Sequence, residues 1–156
     1  MTTDYTNYPH PLHSVATVGI VWHNNQVLLI RRADNDLWEP PAGILEFEDD
    51  PETGVAREVK EETGIDVKPV ALAGVHKEFY GHPMMPVTLI FKCGYIAGKP
   101  TTSPESSEVR WVPLDEAKSL VREAHMARIY DAVDYPSDGP APHLRAHDGN
   151  KLLPKC

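Results

Sequence analysis

The chain has 156 residues, 41% of them hydrophobic, and a formal net charge of −8. This length accommodates one domain with a substantial core, and the apolar share excludes a mainly disordered chain. The acidic balance excludes duplex nucleic acid as the main partner, because contacts to its phosphates need clustered Lys and Arg. A small phosphate ligand stays compatible with this charge, because a bound metal ion inverts the local sign.

The cysteines and the N-terminus indicate a compartment. Cys93 lies in an apolar run, where we predict a buried thiol, and Cys156 is the last residue. The two have no metal or redox spacing, which favours a reducing compartment. The sequence starts without a basic segment followed by an apolar core, and it lacks an apolar run long enough to span a bilayer. We therefore expect a cytoplasmic location and no membrane partner.

The first elements in chain order are a lead-in segment and a hairpin. Residues 1–13 are polar and rich in Tyr, Pro and His, so we expect a flexible N-terminal segment. Residues 15–22 and 26–32 are β-rich runs, and Asn24 and Asn25 between them tolerate positive φ. This pattern predicts a β-hairpin.

A helix follows, with a signal at each end. Asp50 is a good N-cap, Pro51 suits the first helical position, and Gly64 suits the position just beyond the C-terminus. Steps of three and four residues return to one side of a helix, so its apolar and acidic residues fall on adjoining faces. The apolar face carries Val55, Ala56 and Val59, and the acidic face carries Glu58, Glu61 and Glu62. We expect this helix to pack on a sheet and to present carboxylates along its flank.

The rest of the chain predicts strands, two helices and a tail. Strands are predicted at residues 70–79, 87–96 and 109–112, and helices at residues 113–121 and 124–133. From residue 134 onward Pro, Gly, Asp and His dominate, so residues 134–156 predict a polar C-terminal tail with little helix or strand. Strands outnumber helices, which favours an α+β or mixed α/β sandwich over residues 14–133.

Negative charge is concentrated in one short segment of the chain. Residues 46–62 hold eight carboxylates against two cations, so most of the net charge of the chain lies here. Like charges packed this closely raise the free energy unless a cation lies among them. Carboxylate oxygens suit hard divalent cations such as Mg²⁺, Mn²⁺ or Ca²⁺. The segment therefore predicts a metal site.

The residues of this segment follow a spaced pattern. Gly43 is followed after five residues by Asp49, and after seven more by the run Arg57-Glu58-Val59-Lys60-Glu61-Glu62-Thr63-Gly64-Ile65. The pattern resembles the Nudix box, in which a Glu holds the position of Asp49, and the resemblance extends in outline over residues 15–121. It implies the Nudix fold, a mixed β-sheet sandwiched between helices, with a loop–helix–loop catalytic box.

The resemblance also implies an activity. Nudix enzymes are Mg²⁺- or Mn²⁺-dependent hydrolases of a phosphoanhydride bond in a nucleoside diphosphate linked to another moiety. ADP-ribose, a nucleotide sugar and a nucleoside triphosphate are examples of such substrates. Glu58, Glu61 and Glu62 match the metal ligands of the family, and Glu58 is sometimes its general base. The backbone carbonyl of Gly43 often joins the metal shell.

Further roles follow from the same resemblance. In the family, a carboxylate from a loop near the second helix often completes the site. Glu105 is our first candidate for it and Glu108 is the second. Arg57 is expected to orient the acidic cluster, which makes Arg57, Glu58, Glu62 and Glu105 the catalytic set. In the family a Glu helps to orient this arginine, so the shorter Asp49 predicts a looser or water-bridged contact. A second departure is Glu48, where many members carry Gly.

Substrate contacts are predicted on both sides of the box. Strand alternation lets only one of Arg31 and Arg32 point inward, where an arginine fork would suit phosphate oxygens, and the other would be an edge-strand charge. Ala42, before Gly43, resembles members that act on ADP-ribose-like compounds. Three aromatic side chains could stack on a base, although aromatics in such strands more often belong to the core. They are Trp38, Phe79 and Tyr80.

Three other interpretations compete with the metal-dependent hydrolase. A Nudix fold with weak catalysis could serve as a nucleotide-binding or regulatory module, and Asp49 is the reason to consider it. An isomerase acting on a prenyl diphosphate would need a Cys near the box, and Cys93 is distant in sequence. His143 and His147, near Asp148, have a metal-ligand spacing, but the composition of the tail favours solvated histidines.

The resemblance also raises the expectation of a homodimer, because related proteins often pair.

Overall fold

The fold is one mixed β-sheet with helices packed on it. The computed structural model describes residues 9–79, 86–136 and 138–154. The strands are β1 (Val15–His23), β2 (Gln26–Arg32), β3 (Trp38–Glu39), β4 (Ala42–Ile44), β5 (Asp66–Glu78), β6 (Val87–Ala97), β7 (Ser106–Pro113) and β8 (His143–His147). The helices are α1 (Pro51–Thr63), α2 (Leu114–Leu120) and α3 (Glu123–Val133).

The strand order places β1 near the centre of the sheet. The sheet runs in the order β3-β2-β1-β6-β5-β8, with β4 also paired to β1 and β7 to β2. β1 runs parallel to β6, and β5 runs parallel to β8. The antiparallel pairing of β4 with β1 sets Gly43 opposite Thr17. The loop before α1 is therefore held against the middle of the sheet.

Apolar residues form two clusters, and β1 contributes to both. Ile20 belongs to the cluster that includes Ile129 of α3, and Val21 belongs to the cluster that includes Val55 and Val59 of α1. Successive residues of a strand point to opposite faces, so α1 and α3 pack on opposite faces of the sheet. This arrangement confirms the predicted mixed sheet between helices.

The hairpin and the ends of α1 are confirmed. Asn24 and Asn25 adopt positive φ of 50° and 59° in the turn between β1 and β2. The Asp50 side chain accepts a hydrogen bond from the Thr53 N–H at 2.9 Å, and Gly64 ends the helix with φ 75°. Local capping chemistry therefore sets both bounds of the box helix.

The prediction of a tail with little strand over residues 134–156 is wrong, because β8 lies there and pairs with β5. The strand was missed because polar contacts hold it rather than an apolar alternation. Arg145 donates to Asp131 of α3 at 2.6 Å, and His147 is completely buried. The prediction of solvated histidines is therefore wrong for His147, whereas His143 is exposed.

Some predictions concern residues outside the described ranges. Most of the N-terminal segment, together with Tyr80 and Cys156, falls there. Cys93 is a buried free thiol, as predicted. Within the described ranges, every helix falls short of the length and apolarity needed to cross a bilayer.

Candidate active site

β4 lies directly against the acidic face of α1. The Ala42 N–H donates to Oε2 of Glu62 at 3.0 Å, which ties the last box glutamate to the loop. Gly43 approaches Glu58 so closely that an added Cβ would overlap the Glu58 carboxyl group. A side chain at this position would have to displace the Glu58 carboxyl group, so glycine lets this group lie against the loop backbone. The Gly43 backbone and two box carboxylates are thereby brought together.

Arg57 holds the acidic cluster from its outer side. Its Nη2 donates to Oδ2 of Asp49 at 2.6 Å, and its Nε donates to the same oxygen at 3.2 Å. Its Nη1 donates to Glu58 at 2.9 Å and to Glu61 at 3.2 Å. The expectation of a looser or water-bridged contact at Asp49 is wrong. The shorter side chain reaches the guanidinium because the loop brings its backbone close to α1.

The box carboxylates lie in an unfavourable electrostatic environment. Burial, together with the neighbouring charges of Glu58, Glu39 and Glu105, raises the pKa of Glu62 to about 8, although the hydrogen bond from Ala42 opposes this shift. Burial also raises the pKa of Glu58, although Arg57 opposes this shift. Desolvated like charges of this kind are stabilised by a cation placed among them.

One cavity of about 1040 Å³ brings most of the predicted residues together. Its lining on the box side includes Gly43, Arg57, Glu58, Glu61, Glu62 and Glu105. Arg32 also lines it, and Arg32 donates to Asp34 at 2.6 Å and to Glu39 at 3.0 Å. The arrangement combines clustered carboxylates with a guanidinium that can reach an anion in the same space.

The neighbouring candidates lie elsewhere. Arg31 is not among the cavity-lining residues, and its Nη1 pairs with Glu108 at 2.9 Å across the β2–β7 ladder. Trp38 packs against the core, with the Arg110 guanidinium 4.5 Å from its ring centroid. Phe79 lies beside Lys77, whose Nζ is 5.1 Å from its ring centroid. Of the alternatives Arg31 and Arg32, Arg32 lines the cavity, and of Glu105 and Glu108, Glu105 does.

Sequence reasoning missed the wall of the cavity that faces the box. Glu39, Arg122, His125 and Arg128 also line the cavity. Oε2 of Glu39 lies 3.7 Å from Arg122 Nη2 and 3.3 Å from His125 Nδ1. Helical spacing could have shown that His125 and Arg128 share a side of α3, and Arg122 is the residue just before this helix. No sequence motif links the three to the box.

The box carboxylates have the ligand chemistry that a divalent cation needs, but each accepts a hydrogen bond from the protein in this structure. Within the described ranges, no three His, Cys, Asp or Glu side chains converge as metal ligands. The reason lies in Arg57, which engages Glu58 and Glu61, while Ala42 engages Glu62. The oxygen donors and the raised pKa values of Glu58 and Glu62 suit a hard cation.

Comparisons with known proteins agree with this geometry. A family model described as NUDIX domain matches residues 13–133. The chain belongs to the NUDIX family. A MutT-like protein from Streptomyces ambofaciens is 46% identical over 92% of this chain and 90% of its own length. The putative ADP-ribose pyrophosphatase YjhB from Bacillus subtilis is 30% identical over 83% of this chain and 65% of its own length.

A solved structure supports the fold. The NUDIX hydrolase from Nitrosomonas europaea superposes with a TM-score of 0.74, at 24% identity, over 89% of this chain and 81% of that one. Family and fold together make this protein a Nudix-type hydrolase, in which the loop–helix–loop around α1 is the box.

Proposed function

We propose that this Nudix hydrolase cleaves the phosphoanhydride bond of a nucleoside diphosphate linked to another moiety, with Mg²⁺ or Mn²⁺ as cofactor. One observation carries the proposal: Gly43, Glu58, Glu62 and Glu105 line a single cavity together with Arg32. Carboxylates and a guanidinium in one space match a substrate that carries several anionic oxygens and is bound through a cation.

The cation would be held by Glu58, Glu61 and Glu62, with Glu105 and the Gly43 carbonyl. It would neutralise the diphosphate and polarise its phosphorus centre toward water. Arg57 positions Glu58 and Glu61, because a single guanidinium group bonds both.

Glu58 is the candidate general base. Its pKa is raised by burial, so it accepts a proton more readily than an exposed carboxylate. Arg32 is the candidate contact to a substrate phosphate. Its Nη2 already holds an exposed acid, Asp34, which a phosphate could replace.

ADP-ribose and related compounds are the substrate class that we propose. The support is the name of the Bacillus subtilis relative, a putative ADP-ribose pyrophosphatase, and Ala42 before the box glycine. The cytoplasmic location and the homodimer stay predictions from the sequence.

The competing functions receive less support from the structure. The binding-module hypothesis depended on a weakened contact at Asp49, and Arg57 contacts Asp49 directly at 2.6 Å. The isomerase hypothesis needs a reactive thiol near the box. Cys93 packs beneath the apolar face of α1, and burial raises its pKa to about 12, which leaves it inert as a nucleophile.

The test is a hydrolysis panel with Mg²⁺ that covers ADP-ribose, nucleotide sugars, nucleoside triphosphates and dinucleoside polyphosphates. We expect turnover of ADP-ribose that EDTA abolishes. The Glu62→Gln variant should lose activity by orders of magnitude while its urea unfolding curve stays cooperative. Nucleotide binding without product under every metal would establish the binding module instead, and equal activity in the variant would defeat the assignment of the site.

A further inference from the structure

The wall formed by α3 contains a buried arginine that lacks an acceptor. Arg128 is only 6% exposed and lines the cavity. Its Nε has no hydrogen-bond partner within the described ranges, and its Nη2 lies 3.4 Å from Nε2 of His147. Burial lowers the pKa of Arg128, the direction expected for a guanidinium removed from water.

The contact between Arg128 and His147 joins two donors. The Gly149 N–H donates to Nδ1 of His147 at 3.1 Å, so this nitrogen carries no proton. Burial lowers the pKa of His147 to about 4, so the ring is neutral at pH 7. A neutral imidazole that accepts at Nδ1 has its proton on Nε2, which faces an N–H of Arg128. One acceptor oxygen beside this pair, within hydrogen-bond distance of both nitrogens, would satisfy both donors.

The carboxylates nearby do not supply this oxygen. Glu39 and Glu78 both line the cavity, and their negative charges raise the pKa of Arg128. Neither carboxylate accepts a hydrogen bond from Arg128 among the described residues. Glu39 is engaged by Arg32 at 3.0 Å. Leaving a buried charged donor without an acceptor costs several times more than an ordinary hydrogen bond contributes.

A second arginine borders the same place. Arg122 also lines the cavity, and its Nε likewise lacks a hydrogen-bond partner among the described residues. Its Nη1 donates weakly to Asn150 at 3.3 Å and its Nη2 lies 3.1 Å from His125 Nε2. Two guanidinium groups line one wall, and the N–H of the fully buried His147 lies behind Arg128. Guanidinium groups are the donors that phosphate oxygens prefer.

We propose that Arg128 and Arg122 form a subsite for a phosphoryl group that the substrate carries in addition to the scissile diphosphate, with the buried His147 beside Arg128. The subsite rests on the proposed function, because the box would hold the diphosphate at the other wall of the same cavity. A cavity of about 1040 Å³ has room for both groups. The preferred substrates are then phosphorylated relatives of ADP-ribose rather than ADP-ribose itself.

The experiment measures binding to the metal-free protein in EDTA by calorimetry. Three probes are compared: ADP-ribose, its derivative phosphorylated on the adenosine 2′-hydroxyl, and its derivative phosphorylated on the terminal ribose. The wild-type protein should bind one phosphorylated probe at least about tenfold more tightly than ADP-ribose, in keeping with a charge-assisted contact. Equal affinity for all three would overturn the proposal without any variant.

Two variants assign the preference to this wall. Arg128→Met should reduce this preference to less than about threefold, because Met replaces the unbranched apolar stem of the arginine but removes the donors. Arg122→Met, at a half-buried position, serves if the first variant fails to fold. Arg110→Gln removes the same charge from an exposed position outside the cavity and should keep the full preference. A preference that persists in Arg128→Met and Arg122→Met would overturn the proposal.

Two further outcomes are distinguishable. Inorganic phosphate should compete with the preferred probe, and its binding alongside that probe would overturn the proposal in favour of a separate ion site. Hydrolysis with Mg²⁺ is measured independently. Binding preference without hydrolysis would defeat the proposed function and leave the subsite, whereas hydrolysis without preference would defeat the subsite alone.

Discussion

The two walls of the cavity handle buried charge in opposite ways. On the box wall Asp49, Glu58, Glu61 and Glu62 each accept a hydrogen bond from the protein, and Arg57 alone engages the first three. On the α3 wall, Arg128 and Arg122 each retain a buried nitrogen without an acceptor among the described residues. The box carboxylates are therefore held by protein donors before any ligand binds, whereas the two arginines of the α3 wall keep free donors for which we propose a phosphoryl acceptor.

The largest effect that would test this contrast is expected at Glu58. Glu58→Gln removes a charge from the box wall and should reduce kcat/KM on the order of a thousandfold, as expected when a metal ligand or base is lost. Glu52→Gln is the matched control, because Glu52 is exposed in the first turn of the same helix. Steady-state hydrolysis of ADP-ribose measures both. Similar losses in the two variants would show that helix charge in general, rather than this wall, matters.

Gly43→Ala tests how closely the wall is assembled. The new methyl group would meet the Glu58 carboxyl group and displace it, and a displacement of about 1 Å can cost about a hundredfold in kcat/KM. Gly94→Ala is the control, because the nearest atom to an added Cβ there is the Lys68 carbonyl oxygen at 3.8 Å. If Gly43→Ala kept full activity, the close packing of the loop on Glu58 would have no catalytic role.

Glu105 and Glu108 are two carboxylates three residues apart, and only one of them lines the cavity. Glu105 lines the cavity, whereas Glu108 pairs with Arg31 outside it. Glu105→Gln should reduce activity about tenfold, the smaller effect of a group at the edge of a metal site. Glu108→Gln should change it by less than about twofold, since half-exposed ion pairs contribute little. The reverse order of effects in kinetic assays would exchange the two assignments.

A smaller effect should appear in stability. The pKa of Glu62 is raised from its ordinary 4.5 to about 8, so the folded protein retains a proton that the unfolded chain has released. The free energy of unfolding of the metal-free protein should therefore fall as the pH rises toward 8, by at most about 1.4 kcal/mol per pH unit. The window above about pH 7 is chosen because histidines are mostly neutral there in the unfolded chain, where their pKa is about 6.5, and His147 is neutral in the folded protein.

Urea unfolding of the wild type and Glu62→Gln across this window measures the contribution. Glutamine does not titrate, so the variant should lack this part of the slope and should match or exceed the wild type near pH 8. Parallel curves for the two proteins would show that Glu62 does not carry a raised pKa.

The difference between the walls also explains which parts of the site could be predicted from the sequence. Apart from Glu105, the box wall lies within residues 43–64, so fixed spacing and the capping signals at Asp50 and Gly64 located its helix and the glutamates on it. The α3 wall joins residues from α3, β3 and the segment after β8, which meet only through sheet pairing. β8 escaped prediction because ion pairs and buried histidines, rather than apolar alternation, secure it.

Arg31 and Arg32 show the same limit on a smaller scale. Alternation along β2 indicated that only one would face the site, and the choice between them depended on a partner strand. Glu108 on β7 takes Arg31, and Arg32 is left to line the cavity.

The most direct test of the central claim is a titration of Mn²⁺ with the protein, followed through the electron paramagnetic resonance signal of the free ion. Wild-type protein should deplete the free signal, and Glu62→Gln should bind Mn²⁺ at least about tenfold more weakly, because a lost ligand or its support has at least that effect on affinity. Equal affinity in the two proteins, or a free signal that the wild type leaves unchanged, would contradict a metal site on the acidic face of α1.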